Sequence, residues 1–217
     1  MISLILLSAG EGRRFGRRKQ FERLLGKPLF MHTLERLLGV FEETLLVLPP
    51  EEVGRIGLPQ QVKKVPGGKE RQDSVFNALL EAQGEVVVVH DCARPFASTE
   101  LFLKVAELGT YEGKVCAVPV RDTVKRVAEG MVVETVDRRG LWLSQTPQAF
   151  RKSVLLECHF RARQEGFLAT DDAQLLERYG YKVAVVEGEP SNIKITYPED
   201  LLLAESIGRL LGYAVAP

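Results

Sequence analysis

Short apolar runs alternate with segments of helical periodicity along most of the chain. The runs have the length of strands and are bounded by glycine, proline or polar residues, while the segments between them repeat apolar positions every three or four residues, as amphipathic helices do. The pattern predicts strands at residues 2–7, 44–48, 85–90, 115–120 and 182–186, and helices at residues 31–38, 74–83, 100–108, 152–164, 171–179 and 199–211. Such alternation of strands and helices is typical of an α/β fold.

The run EVVVV at residues 85–89 is apolar at consecutive rather than alternate positions. A strand of this kind is covered on both faces, which indicates a mostly parallel sheet flanked by helices. In such sheets ligands bind at the carboxyl ends of the strands. The loops that follow residues 2–7 and 85–90 are therefore expected to meet at one edge of the sheet.

Residues 121–142 depart from the alternation of strands and helices, because apolar and polar residues alternate there around the dipeptide Glu129-Gly130. Alternation around such a turn predicts a β-hairpin. A hairpin is too small to hold its own core, so it is expected to pack as an arm on another surface or on a second subunit. We therefore predict a single domain over residues 1–217, with a protruding β-hairpin arm at residues 121–142.

Charge balance and apolar run length disfavour several classes of protein. Lys plus Arg and Asp plus Glu each total 29, so no overall basic field exists to attract nucleic acid. No run approaches the roughly 20 apolar residues that span a bilayer, and the apolar start of the chain is short for a secretion signal. The three cysteines match neither a disulfide framework nor a zinc pattern, which favours a cytoplasmic protein.

The segment SAGEGRRFGRRKQF, residues 8–21, follows the first predicted strand and combines glycines with many cations. It matches neither the Walker A pattern nor the dinucleotide fingerprint, which needs a glycine where Phe15 stands. Glycine lets backbone amides approach a ligand, and clustered guanidinium groups bind strongly anionic groups. The loop is expected to bind a polyphosphate; the alternative is an arginine-rich surface turn.

A second glycine turn, at Gly67-Gly68, leads into a predicted helix. Asp73 or Ser74 is expected to cap that helix. Capping alone does not account for paired glycines beside Arg71, so the turn is also expected to contact a flat ligand such as a base.

Asp91 directly follows the EVVVV strand and so lies at the carboxyl edge of the sheet. A carboxylate there suits Mg²⁺, whose other ligands are usually phosphate oxygens and water. An ion pair between Asp91 and Arg94 is the structural alternative. Cys92 lacks an oriented general base and is expected to be structural. The acids Asp171 and Asp172 are typical of a helix N-terminus.

Taken together, these motifs resemble the 2-C-methyl-D-erythritol 4-phosphate cytidylyltransferase family. The landmarks appear in the family's order over nearly the whole chain, as SAGEGRRFG, RKQ, GGKERQDSV, VHDCARP, PVRDTVKR, VDRRGLW, TPQ, TDDA and NIKITYPEDL. The resemblance implies a Rossmann-like nucleotidyltransferase fold in a homodimer, with the hairpin arm of one subunit completing the partner's site. It also implies that CTP and 2-C-methyl-D-erythritol 4-phosphate react to give 4-diphosphocytidyl-2-C-methyl-D-erythritol and pyrophosphate, in non-mevalonate isoprenoid biosynthesis.

The resemblance further implies a role for each matching residue. Contacts with CTP would come from the backbone of Ala9, Gly10 and Gly12, while Gly68, Arg71 and Ser74 would surround cytosine and ribose. Arg14 and Lys19 would hold the triphosphate and stabilise the transition state, and Asp91 would bind Mg²⁺. The sugar phosphate would be bound by Arg94, Thr123, Arg138, Thr146 and Lys194, of which Arg138 and Lys194 would place the attacking phosphate.

The chain departs from the usual family pattern at two places. Ser8 stands where the family usually has alanine, a small change beside a backbone contact. The loop before Lys19 is shorter than usual, which leaves open the path of residues 16–18 and whether Arg13 or Arg14 carries the phosphate role.

Three alternatives compete with this interpretation. The nearest is a cytidylyltransferase for another polyol phosphate, such as ribitol 5-phosphate. A nucleotide-binding module without catalysis is disfavoured because Lys19, Asp91 and Lys194 all stand at matching places. An NAD-dependent dehydrogenase is disfavoured by Phe15.

Overall fold

The computed structural model describes residues 1–213 as a central sheet flanked by helices on both faces. The strands are β1 Ile2–Leu7, β2 Arg23–Leu24, β3 Lys27–Pro28, β4 Glu43–Leu48, β5 Val62–Pro66, β6 Val86–Asp91, β7 Gly113–Pro119, β8 Val124–Ala128, β9 Met131–Val136, β10 Trp142–Arg151 and β11 Val183–Glu187. The helices are α1 Leu29–Leu37, α2 Arg71–Glu81, α3 Thr99–Ala106, α4 Lys152–Glu165, α5 Asp172–Arg178 and α6 Asp200–Leu210, with short 3-10 turns at Lys19–Phe21 and Pro50–Glu52. No helix within residues 1–213 has both the length and the apolarity to cross a bilayer.

The main sheet has seven strands in the order β11-β7-β10-β6-β1-β4-β5. Strand β1 is parallel to both of its neighbours, β4 and β6, and β11 is parallel to β7, whereas β10 runs antiparallel between β6 and β7. The predicted mostly parallel sheet is confirmed. In the β1–β6 register Leu7 pairs with Asp91, so the loops after these two strands begin side by side.

Two strands of the main sheet, β5 and β10, were not predicted from the apolar pattern. β5 has the sequence VKKVP, with Val62 and Val65 buried, and it lies at the end of the sheet, where a weak pattern suffices. β10 is central, but its buried stretch includes the polar residues Gln145, Thr146 and Gln148. Gln145 and Thr146 bond residues far away in sequence, and Gln148 bonds Asp171 as well as its own strand, so an apolar pattern does not reveal the strand.

Side chains of the inner strands alternate between two apolar layers. Leu4 and Leu6 of β1 pack with α1 and α3 on one face, while Ile5 and Leu7 pack with α2, α4 and α5 on the other. A third cluster joins the loop after β1 to the segment before α6, through Phe15 and Ile195. Because Phe15 is buried in this cluster, it anchors the cationic loop to the body of the protein.

The predicted hairpin is present as β8 and β9, which pair antiparallel with each other and form their own two-stranded sheet. Glu129 and Gly130 form the turn, with φ of 50° and 78°. Apolar side chains of this arm face solvent, including Val127 at 57%, Met131 at 72% and Val132 at 61% exposure. The arm therefore carries apolar surface that its own chain leaves uncovered.

Candidate active site

A cavity of about 620 Å³ opens at the carboxyl edge of β1 and β6. The loop after β1, the turn before α2, the loop after β6 and the segment before α6 all contribute to its walls. The sheet topology thus brings together loops that are far apart in sequence. Of the residues singled out from the sequence, the cavity is lined by Ala9, Gly10, Gly12, Arg14, Lys19, Gly68, Arg71, Ser74, Asp91 and Lys194.

The loop after β1 is held in shape by its own backbone and by one buried glutamine. Gly12 has a φ of +66°, and a Cβ atom there would lie 1.8 Å from the carbonyl oxygen of Arg17, so only glycine fits. The side-chain amide of Gln20, which is buried, donates a hydrogen bond of 3.0 Å to the carbonyl of Gly10. These contacts fix the backbone that faces the cavity.

The four arginines of this loop divide into two pairs. Arg13 and Arg14 line the cavity, so both remain candidates for the phosphate role. Arg17 is bonded to Glu22, and Arg18 to Glu11 at 2.9 Å. Arg17 and Arg18 are therefore already paired with carboxylates.

Lys19 lies in a partly buried, cationic part of the cavity. The pKa of Lys19 is lowered to about 8, and burial is the largest cause. The positive charges of Lys194 and Arg14 also lower it, while Asp91 opposes the shift. Mutual repulsion among cations indicates a place for an anionic ligand, which would relieve it. The cavity is therefore electrostatically prepared for a group such as a polyphosphate.

The turn before α2 differs in detail from the sequence prediction. The N-cap is Glu70, so the predicted N-cap at Asp73 or Ser74 is wrong, although Asp73 contributes to capping through a capping box with Glu70. Both residues lie in the first helical turn instead, where Asp73 accepts a hydrogen bond of 3.1 Å from the Glu70 amide and Ser74 Oγ accepts one of 3.1 Å from the Gly68 amide. Ser74 thereby fixes the glycine turn at the cavity wall.

The same turn touches the loop after β1. A Cβ atom on Gly67 would lie 2.4 Å from the Cβ atom of Ala9, well inside van der Waals contact. The glycine is required by this close approach, and the two loops form one continuous wall.

Asp91 lies at the base of the cavity between two cations. Its Oδ1 accepts from Arg71 Nε at 3.0 Å and its Oδ2 accepts from Lys194 Nζ at 3.0 Å. Burial opposes ionisation, but Arg71 and Lys194 outweigh it and hold the pKa of the Asp91 carboxyl well below its usual range. The alternative ion pair with Arg94 is wrong, since Arg94 Nη1 donates instead to the carbonyl of Asn192 at 2.7 Å.

A single ionised carboxylate at this position is compatible with Mg²⁺. Within residues 1–213 no cluster of three or more His, Cys, Asp or Glu side chains forms a metal cage. Mg²⁺ needs no such cage, because it retains waters and takes phosphate oxygens as ligands. Each oxygen of Asp91 accepts one hydrogen bond and has a second lone pair, so the residues present fit the ion.

Lys194 reaches Asp91 because its loop is bonded to the loop after β6. The amide of Ile195 donates to the carbonyl of Ala93 at 2.8 Å, and Arg94 bonds the Asn192 carbonyl on the other side of Lys194. Arg94 thus supports the lysine from outside the cavity, which it does not line.

Thr146 also lies behind the cavity wall, where it is buried. His90 Nε2 lies 2.9 Å from the carbonyl of Arg94 and must donate to it, so His90 Nδ1 accepts from the Thr146 hydroxyl at 2.9 Å. Thr146 Oγ1 in turn accepts from the Asp91 amide at 3.0 Å. Burial lowers the pKa of His90 to about 3, so its imidazole ring is neutral at pH 7. The bonds from His90 through Thr146 hold the backbone amide of Asp91 in place.

Thr123 and Arg138 are exposed on either side of the hairpin strands and do not line the cavity of their own chain. The Arg138 guanidinium donates to the carbonyl of Arg121, which ties the two ends of the arm together. The structure therefore separates these two residues from the other predicted site residues.

Cys92 borders the cavity but is 1% exposed, and burial raises the pKa of its thiol far above the usual range. A thiol in that state is a poor nucleophile, which agrees with the structural role predicted for it.

Two polar residues near the site were missed as site residues by sequence reasoning. Gln20 belongs to the RKQ motif, but no local pattern indicates its bond to the Gly10 carbonyl. Asp172 was assigned only to a helix N-terminus, where Asp171 is indeed the cap and accepts from the Gln174 amide at 2.9 Å. Asp172 itself bonds Arg71, a partner 101 positions away that no local pattern indicates.

The chain is similar to a known family of enzymes. The family model described as 2-C-methyl-D-erythritol 4-phosphate cytidylyltransferase matches residues 2–209. Among curated proteins of that name, the one from Aquifex aeolicus is 59% identical over 207 residues, covering 95% of this chain and 97% of the relative. The one from Bacillus mycoides is 45% identical over 219 residues, with coverage of 95% and 97%.

Solved structures give the same picture. The crystal structure of 2-C-methyl-D-erythritol 4-phosphate cytidylyltransferase from Thermus thermophilus has a TM-score of 0.82 and 36% identity, covering 94% of this chain and 98% of that one. That of 4-diphosphocytidyl-2C-methyl-D-erythritol synthase from Anaerococcus prevotii has a TM-score of 0.84 and 33% identity, with coverage of 96% and 98%. Similarity therefore extends over nearly the full length in both sequence and fold.

Proposed function

The chain belongs to the 2-C-methyl-D-erythritol 4-phosphate cytidylyltransferase family, and from that membership we propose how its cavity carries out the reaction. The enzyme transfers CMP from CTP to 2-C-methyl-D-erythritol 4-phosphate, giving 4-diphosphocytidyl-2-C-methyl-D-erythritol and pyrophosphate in isoprenoid biosynthesis. The observation that carries the proposal is the convergence of Arg14, Lys19 and Lys194 on one cavity with Asp91 at its base.

The chemical step needs charge neutralisation more than proton transfer. An oxygen of the sugar phosphate attacks the α-phosphorus of CTP in line, a new P–O bond forms, and the bond to the β-phosphate breaks so that its electrons leave with pyrophosphate. A phosphate monoester has a second pKa of about 6, so the attacking oxygen is ionised at neutral pH and no general base is required. The barrier lies in bringing two anions together.

The triphosphate side of the cavity is the loop after β1. Backbone groups of Ala9, Gly10 and Gly12 face the nucleotide, and Arg14 and Lys19 neutralise the triphosphate and the departing pyrophosphate. Binding of that anion raises the pKa of Lys19 from its lowered value, so the lysine is fully charged in the complex. Arg13 lines the same wall and shares this environment.

Asp91 would hold a Mg²⁺ ion that enters with the triphosphate. When bound, Mg²⁺ neutralises phosphate charge and helps the leaving group depart. The carboxylate suits this role because Arg71 and Lys194 keep its pKa low, and Thr146 fixes its backbone.

The base and ribose lie against the turn before α2 in this proposal. Charge alone does not select cytosine, so selection falls to backbone groups at Gly68 and to the side chains of Arg71 and Ser74. Ser74 is already committed to the Gly68 amide, which indicates that its contribution is to shape the turn.

The acceptor side is built around Lys194, which positions the attacking phosphate. Arg94 and Thr146 support this side from behind the wall. Thr123 and Arg138 lie on the arm, so they reach a cavity only if the arm extends to a second subunit. We therefore propose a homodimer in which each arm completes the partner's site, a proposal supported by the exposed apolar residues of the arm.

The proposed setting is the cytoplasm, without nucleic-acid partners. The three cysteines are free and buried, which suits a reducing compartment, and the equal numbers of acidic and basic residues give no general attraction to nucleic acid.

The testing experiment is a pyrophosphate-release assay with CTP, Mg²⁺ and a panel of polyol phosphates. We expect rapid release with 2-C-methyl-D-erythritol 4-phosphate, slow release with ribitol 5-phosphate, and slow release when ATP replaces CTP. No release with the methylerythritol substrate, or a preference for ribitol 5-phosphate, would overturn the assignment.

Subunit complementation tests the arm. Lys19→Ala and Arg138→Ala chains, each inactive alone, are unfolded together and refolded as a mixture. If the arm serves the partner's site, one site of each mixed dimer is intact, and the mixture should regain about a quarter of wild-type activity. No recovery from a mixture that forms dimers would show that the arm does not act across the interface.

A further inference from the structure

Arg71 is held by two carboxylates that come from different parts of the fold. Its Nε donates to Asp91 Oδ1 at 3.0 Å, and its Nη1 donates to Asp172 Oδ2 at 2.8 Å. Asp91 belongs to β6 and Asp172 to the first turn of α5, while Arg71 is the first residue of α2. A guanidinium bonded through two nitrogens to two fixed acceptors has its plane and direction determined.

The two carboxylates differ in their relation to the cavity. The Asp91 side chain is 12% exposed and lines the cavity, whereas the Asp172 side chain is 2% exposed and does not line it. Asp172 therefore touches no ligand in the cavity directly, and acts on it only through Arg71.

Asp172 depends on Arg71 for its own charge balance. Within residues 1–213, Arg71 is the donor bonded to the Asp172 side chain, and His159 Nε2 lies 3.9 Å from Asp172 Oδ1, beyond hydrogen-bond distance. Burial lowers the pKa of His159 to about 4, so its ring is neutral at pH 7. A buried carboxylate with one cationic partner contributes little net stability, which favours a positional function over a stabilising one.

The bonds extend across the base of the cavity as an alternating row of charges. Asp172, Arg71, Asp91 and Lys194 follow one another with a hydrogen bond at each step. Without Asp172, the Arg71 guanidinium would keep only Asp91 as a bonded carboxylate and would turn toward it. Arg71 would then shift from the wall that faces the base and occupy Asp91 more fully.

We propose that Asp172 is a positioning residue for nucleotide binding, which holds Arg71 in the orientation that contacts CTP. The inference rests on the proposed function, in which Arg71 lies beside cytosine and ribose. It gives a role to a residue that lies outside the cavity and to which the family resemblance assigned none, although Asp172 belongs to the TDDA landmark.

The test is Asp172→Asn, which keeps the shape of the side chain and removes its charge. We expect the dissociation constant for CTP, measured by calorimetry, and the KM for CTP to rise about tenfold, with a smaller change in kcat. Asp172→Glu, which keeps the charge, should recover part of the affinity. The matched control is Asp171→Asn, since asparagine also caps helices and Asp171 does not bond Arg71; it should bind CTP within about twofold of wild type.

A double-mutant cycle separates positioning from general structural damage. If Asp172 acts through Arg71, then Arg71→Ala and Arg71→Ala/Asp172→Asn will bind CTP equally. Additive losses, or wild-type affinity in Asp172→Asn, would overturn the inference. Should Asp172→Asn fail to fold, Asp172→Glu takes its place in the cycle: a loss of affinity that disappears without Arg71 supports the inference, and unchanged affinity overturns it.

The two proposals fail in different ways. Absence of pyrophosphate release by the wild-type enzyme would reject the proposed function. An active wild-type enzyme whose Asp172→Asn variant behaves normally would reject only the positioning role.

Discussion

Lys19 and Lys194 lie in the same cavity but in opposite electrostatic situations. Lys19 is partly buried among other cations, and its pKa is lowered to about 8, whereas Lys194 is bonded to Asp91 at 3.0 Å. In the proposed mechanism Lys19 gains a negative partner only when the triphosphate binds, whereas Lys194 already has one in Asp91. If the proposed roles hold, the charges on the triphosphate side are balanced only by the ligand, while those on the acceptor side are already balanced within the protein.

The strongest test of this difference is Lys19→Ala. We expect turnover to fall about 10²-fold or more, because a cation placed at the triphosphate is lost. Thermal stability should be unchanged or higher: a lysine whose pKa is lowered on folding costs stability when charged at neutral pH, and alanine removes that cost. The measurements are pyrophosphate release and a thermal unfolding curve.

The control for Lys19→Ala is Lys27→Ala, which removes a half-buried lysine paired with Glu35 outside the cavity. That variant should keep its turnover. Turnover near the wild-type value in Lys19→Ala itself would reject the role assigned to the residue.

Lys194→Ala is expected to act on the other substrate. The KM for 2-C-methyl-D-erythritol 4-phosphate should rise about tenfold, because one charge-assisted contact is lost, while the KM for CTP changes less. Asp91 keeps Arg71 as a partner, so the protein should still fold. Steady-state kinetics with each substrate varied in turn will show the split; equal increases in both KM values would remove the distinction between the two sides.

The lowered pKa of Lys19 predicts that CTP binding depends on pH, with a smaller effect than the substitutions above. Below about pH 8 Lys19 is charged, and binding is strongest; as pH rises through the pKa of the free enzyme, binding must take up a proton and weakens. We expect the KM for CTP to rise several-fold between about pH 7 and 9.5. In Lys19→Arg this rise should disappear, because arginine stays charged; persistence of the rise would assign it to another group.

Arg17→Ala should have the smallest effect. Arg17 belongs to the same loop as Arg14 but is bonded to Glu22 at the surface. An exposed pair of this kind contributes little, so turnover in the pyrophosphate-release assay should stay within about twofold of wild type and the thermal unfolding midpoint should be nearly unchanged. A large loss of turnover would mean that the loop rearranges to bring Arg17 into the cavity.

The sequence predicted the parts of the fold that follow from local patterns. The EVVVV run identified a buried strand, and Glu129-Gly130 identified the hairpin, both confirmed by the structure. β10 was not predicted because its buried stretch contains Gln145, Thr146 and Gln148, whose bonds to Glu189, His90 and Asp171 reach residues far away in sequence. Such bonds become visible only when the chain is folded.

The candidate site was predictable to a similar extent. Loops that follow β1 and β6 could be placed at one edge because parallel strands end together, which brought Lys19 and Asp91 into one cavity. The partners of each charge were not predictable: Arg71 joins Asp172, and Asp91 joins Lys194 instead of Arg94. The proposed role of Arg138 in a partner's cavity stays a prediction.

The contact between Gly67 and Ala9 has a consequence for nucleotide choice. One missing methyl group sets the gap between the turn assigned to the base and the loop assigned to the phosphates. A larger residue at either position would push the two loops apart. Both the selection of the base and the binding of the phosphates would then change. Retargeting this enzyme to another nucleotide would therefore require redesigning both walls as one unit, since neither can be adjusted alone.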